Sequence, residues 1–138
     1  MHQRDYILRV IEQIGRILIA LRKRIMGQPS DVGDIENAFR TLAGHAGIDL
    51  EVARRATPET LVLLTSPQFE PTRCWTLAEL LYLDGLNAQT EGRIDDARSS
   101  YEKALRLFAF VQPGGALLLG WPEAADRIAE IEERLRHL

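Results

Sequence analysis

Apolar positions recur along this chain at intervals of three and four, in stretches divided by glycine, proline and short polar runs. That spacing predicts helices with one buried face. No stretch shows the sustained two-residue alternation, bounded by hairpin turns, that strands require. The most regular stretch runs from Asp5 to Met26. There Ile7, Val10, Ile11, Ile14, Ile17, Leu18, Leu21 and Ile25 fall within an arc of about 120°, while Arg9, Arg16 and Lys23 lie opposite. Leu8 and Ile19 widen the apolar surface on one flank. Three readings fit this stripe. It is core of the chain's own bundle, or the seam of a homodimer, with Ile7, Ile11, Ile14, Leu18, Leu21 and Ile25 at the 4-3-4-3-4 spacing of a coiled coil. Third, it is a helix on a membrane surface, although Arg22, Lys23 and Arg24 equally suit the negative end of any helix.

Further along, Gly27 to Gly33 carries turn residues, and a helix begins near Asp34 with the stripe Ile35, Phe39, Leu42 and Ala46, ended by Gly44 and Gly47. Ile48-Asp49-Leu50 starts a short helix, and Thr57-Pro58-Glu59 caps another that leads into Leu61, Val62, Leu63 and Leu64. Ser66 to Thr72 reads as a linker, and Thr76 with Glu79 has the form of a capping box. Leu77, Leu80, Leu81 and Ala88 then share one helical face up to Gly92, a residue suited to positive φ at a helix end. A second run opens with Asp95 and Asp96 and places Ala97, Tyr101, Ala104, Leu105 and Phe108 on one stripe, with Arg98, Ser99, Ser100, Glu102, Lys103 and Arg106 on the polar side. Gly85, costly inside a helix, implies a closely approaching neighbour, with Ala97 and Ala104 as its small partners. Gln112-Pro113-Gly114-Gly115 breaks the chain. A last helix starts near Pro122 with the stripe Ala125, Ile128, Ile131 and Leu135.

The expected fold class is therefore all-α, a single domain forming a bundle of about six or seven helices. Residues 1–28 form an N-terminal amphipathic helix, 34–66 short helices, 76–110 a helical hairpin, and 122–138 a terminal capping helix.

The hairpin, about residues 77–110, resembles a single tetratricopeptide repeat, a helix–turn–helix unit of about 34 residues. Leu81, Gly85, Gly92, Ala97, Tyr101 and Ala104 carry the resemblance, whereas Asp84, Ala88 and Ala109 depart from the family's usual leucine, tyrosine and proline. The resemblance implies a concave face lined by the first helix of the hairpin, at Glu79, Tyr82, Leu86, Gln89 and Thr90. Such a mixture of apolar, aromatic and amide groups suits a peptide or partner helix. The opening Asp5, Tyr6, Ile7, Arg9, Ile11 and Glu12 also resembles the start of a group of short, uncharacterised bacterial proteins with helical, repeat-like bodies.

Composition narrows the functional classes. Of the net charge of -3, residues 1–28 carry +4 and the remainder -7, so the basic helix is free to rest on its own acidic body. No basic patch interleaved with aromatics points to nucleic acid. The single Cys74 excludes an internal disulfide, and no apolar run approaches the about 20 residues of a membrane span, so a cytoplasmic protein is expected. His2, His45 and His137 have no ligand-type neighbours at metal spacing, Gly114-Gly115 is no phosphate loop, and Asp95 and Asp96 point about 100° apart on a helix. Neither metal nor cofactor is expected, and no catalytic residue is named. The sequence thus suggests an interaction or assembly module rather than an enzyme, with a homo-oligomeric structural protein with no other ligand as the first alternative and a helical small-molecule binder or enzyme as the second.

Overall fold

The computed structural model describes residues 2–67, 71–111 and 124–138. Among these the elements are all helical: α1 (His2–Ile25), α2 (Ile35–Ala46), α3 (Leu50–Arg55), α4 (Pro58–Thr65), α5 (Pro71–Thr90), α6 (Ile94–Val111) and α7 (Ala124–Arg136). Side-chain caps set several of the ends. Asp34 accepts from the Glu36 amide, Asp49 from Glu51 and Val52, and Thr57 from Thr60 ahead of Pro58. Gly47 closes α2 at φ +72°, so Gly44 lies inside that helix rather than at its end, and Gly92 makes the α5–α6 turn at φ +78°.

α5 is the axis of the bundle. It pairs most extensively with α6 and also touches α1, α2, α3 and α4, while α7 lies along α6. From Cys74 to Leu86 every α5 side chain is buried, on all sides of the helix. The helix starts five residues before the expected capping box. Thr76 is an interior position whose hydroxyl donates to the Thr72 carbonyl at 2.7 Å, so the segment read as a linker already contains the first residues of α5, Pro71 and Thr72. The break at 112–115 and the Pro122 start lie outside the described residues.

The α5–α6 crossing differs from the expectation in its partner. A Cβ built on Gly85 would stand 2.6 Å from the Tyr101 ring. Gly85 thus admits an aromatic ring, not the small side chains of Ala97 and Ala104. Trp75 meets Phe108 edge-on at 5.7 Å, and Tyr82 tilts against Tyr101 at 6.0 Å. Ser100 and Lys103, expected on the polar side, are buried. On α7 the inward stripe begins at Ala124, and Ala125 is exposed.

The stripe of α1 is core. Ile11, Ile14, Leu18, Leu21 and Ile25 are buried within one copy of the chain, which corrects their assignment to a seam between two copies. The side chain of Ile7 lies outside what the structure describes. Arg22, at the edge of this stripe, approaches Glu130 of α7 at 3.8 Å, so the basic helix does meet the acidic body at this point.

Candidate functional site

The expected concave face is a filled interface. Glu79, Tyr82 and Leu86 are only 3%, 1% and 1% exposed, because α1 and α7 bring side chains over this part of α5. Their place on a free binding face is corrected accordingly. Gln89 is half-buried and Thr90 is exposed.

Three arginines from distant parts of the chain gather here. Arg127 of α7 donates from Nε and Nη2 to the two oxygens of Glu79, at 2.6 and 3.2 Å, and from Nη1 to Glu130 at 2.7 Å. Arg134, two turns further along α7, donates to the Tyr82 hydroxyl at 3.3 Å. The guanidinium carbons of Arg22 and Arg127 stand 5.5 and 5.6 Å from the centre of the Tyr82 ring, within the range in which a cation is attracted to the ring's negative face. Below them, the Tyr101 hydroxyl donates to Gln89 Oε1 at 2.6 Å.

Electrostatics follow from this burial. Loss of hydration pushes the Glu79 carboxyl above its ordinary range, and the charge and hydrogen bonds of Arg127 oppose that shift. Tyr101 is pushed up to about 12, chiefly by burial. α7 brings Arg127 and Arg134, seven residues apart, to this face, next to its apolar residues Ala124, Ile128, Ile131 and Leu135. Sequence reasoning alone passes over these two arginines as binding residues, although their seven-residue interval puts both on one edge of the helix.

A second polar cluster lies on another side of α5. Arg54 of α3 donates to both oxygens of Glu36 at 2.9 and 2.7 Å and to Asp84 at 2.9 Å. Asp84 also accepts from Ser100 Oγ at 3.1 Å. Lys103 donates to the Arg54 carbonyl, and burial pulls its ammonium pKa down while Asp84 raises it. Arg93 and Asp96 complete the lining of a cleft of about 340 Å³ above these residues. Arg93 already bridges Glu91 and Asp96, at 3.0 Å each. The cluster therefore ties α2, α3, α5 and α6 together, and its guanidinium groups are already engaged by carboxylates.

Cys74 is buried and its thiol is pushed up by loss of hydration, which disfavours the nucleophilic thiolate. Among the described residues no group of three or more His, Cys, Asp or Glu side chains is placed to hold a metal ion. None of the described helices is long and apolar enough to cross a membrane. Compared with protein-family models, the chain matches none. No curated protein and no solved structure matches it.

Proposed function

We propose that the chain is a protein–protein interaction module that binds a peptide or partner helix on the Glu79–Tyr82 face of α5, with α7 as the resident occupant of that face. The observation that carries this reading is the way α7 is held. Ala124 and Ile131 are fully buried, Ile128 and Leu135 are only partly so where α7 packs on α6, and Arg127 and Arg134 supply an ion pair, a cation–π contact and a hydrogen bond to α5. A helix whose apolar stripe is only partly enclosed, and whose hold on α5 is made by directional polar contacts, is selective in register but gains less from apolar burial than a fully packed one. A partner helix carrying the same two arginines on a larger apolar stripe therefore competes with it.

The test uses α7 itself as probe. A labelled peptide of residues 124–138 is titrated into the full chain, into the Arg127→Ala, Arg134→Ala double variant that loosens the resident helix, and into the same double variant with Glu79→Gln. Saturable binding to the double variant, absent from the unmodified chain and weakened at least tenfold by Glu79→Gln, supports the reading. A folded double variant that ignores the peptide, or binds it equally with and without Glu79, sinks it.

A further inference from the structure

The contacts of α7 with the Glu79–Tyr82 face divide by chemistry. Arg127 presents three nitrogens to two carboxylates. Its Nε and Nη2 lie 2.6 and 3.2 Å from the two oxygens of Glu79, and its Nη1 lies 2.7 Å from Glu130, three residues further along α7. The Glu79 side chain is 4% exposed and that of Arg127 14%, so water does not replace a bond lost at Glu79. Arg134 meets a hydroxyl instead, donating to Tyr82 at 3.3 Å. α1 supplies a charge of the other sign, since Arg22 stands over the same Tyr82 ring and approaches Glu130 at 3.8 Å. The receiving side therefore offers an acid from α5 and a base from α1. The occupant answers with a base and, three residues on, an acid.

A carboxylate placed this deeply needs a partner that satisfies both of its oxygens. The planar fork of a guanidinium does so with two bonds, and it lies on an aromatic ring with little loss of hydration. A lysine ammonium is a single, strongly hydrated point. Set at one oxygen of Glu79, it leaves the other buried and unpaired. The Tyr82 hydroxyl makes no such demand, since any donor of sufficient reach serves it. The two charge pairs also fix direction. A helix entering the opposite way sets its acid against Glu79 and its arginine against Arg22, and both contacts repel. Resting on the reading of this face as a partner site, we infer that it selects arginine over lysine at the place of Arg127, with an acid three residues on, whereas the place of Arg134 takes either basic residue. The recognised class is an amphipathic helix of the pattern Arg-x-x-Glu-x-x-x-Arg or Lys, laid in the direction of α7.

The experiment titrates labelled peptides of residues 124–138 into the Arg127→Ala, Arg134→Ala chain, with circular dichroism to confirm that each variant chain is folded. Arg127→Lys in the peptide should weaken binding about tenfold or more and Arg134→Lys about twofold or less, while Arg127→Glu combined with Glu130→Arg should abolish it. In a chain that also carries Glu79→Gln, the preference for arginine should disappear. A parallel series places the same lysines in the otherwise unmodified chain, where Arg127→Lys should lower the melting temperature by several degrees and Arg134→Lys hardly change it. Equal affinities or equal melting temperatures for the two lysine variants overturn the inference. So does binding of the charge-exchanged peptide, or a preference for arginine that survives Glu79→Gln. Peptides that all bind alike thus remove the selection and leave the partner reading standing. If no peptide binds, the partner reading fails, and the melting series alone decides whether the recess selects arginine.

Discussion

The Tyr101 ring occupies the space that a side chain on Gly85 would need, with ring carbons 2.6 Å from the position of a Cβ there. The ring has little room to retreat, since its hydroxyl is tied to Gln89 and its other neighbours include Tyr82. Gly85→Ala should therefore lose about 1–3 kcal/mol despite the better helix propensity of alanine. Gly44→Ala, inside α2 with nothing within 4 Å, should instead gain up to about 1 kcal/mol. Urea midpoints of the two variants decide the matter, and shifts of the same sign would mean that the α5–α6 spacing is misassigned.

Overpacking gives a second check on the same crossing. Ala104 is fully buried and Glu102 is exposed, so Ala104→Trp should cost about 1–3 kcal/mol or more and Glu102→Trp about 0.5 kcal/mol or less. Ser100→Trp is expected to behave like the buried site, because it also removes the hydroxyl that donates to Asp84. Chemical denaturation of all three variants tests the helical phase of α6.

Arg54 should matter far more than an arginine of similar appearance on the surface. Arg54→Lys replaces a planar fork that serves Glu36 and Asp84 together with a single ammonium, and a loss of about 1–3 kcal/mol is expected. Arg106 pairs with Glu59 at an exposed position, and Arg106→Ala should stay within about 0.5 kcal/mol. Comparable melting temperatures for the two variants would contradict this ranking.

Acid should act on two carboxylates in opposite directions. The Arg54 hydrogen bond holds Glu36 below its ordinary value of 4.5, so its contribution is complete above that pH and disappears as pH falls through the lower folded value. Glu79 is raised above 4.5 by burial, so its protonation favours the folded state, an advantage lost as pH rises through the folded value. Glu36→Gln should flatten the decline of melting temperature on acidification and Glu79→Gln should steepen it. A melting series from neutral pH to about pH 3 distinguishes the two slopes.

The sequence reveals a helix best when water lies on one side of it. α1, α2 and α6 each have a solvated face, so their apolar period survives in the sequence and their buried residues largely follow it. α5 is enclosed on every side, and the period that would locate its faces disappears into Leu77–Leu86. Glu79 and Asp84 therefore read as surface positions. Their partners Arg127 and Arg54 stand 48 and 30 residues away, too far for any local pattern to announce the pairs. The exposed flank of α1 is legible as well, because Leu8 and Ile19 stand apart from the buried stripe.

The ends of α2 and α3 are met by side chains from elsewhere in the chain. Arg73 of α5 donates to the Ala46 carbonyl at the end of α2, at 2.9 Å, and Lys103 of α6 does the same for Arg54 at the end of α3. A six-residue helix such as α3 has too few internal bonds to persist alone. Its Ala56 amide closes locally on the Val52 carbonyl, while the Arg54 carbonyl gains its side-chain partner only when α6 docks. The α5–α6 hairpin, closed by a short turn at Gly92, is then the early-forming unit, and α3 a late one whose amides should exchange with solvent well before those of Leu80 to Leu86.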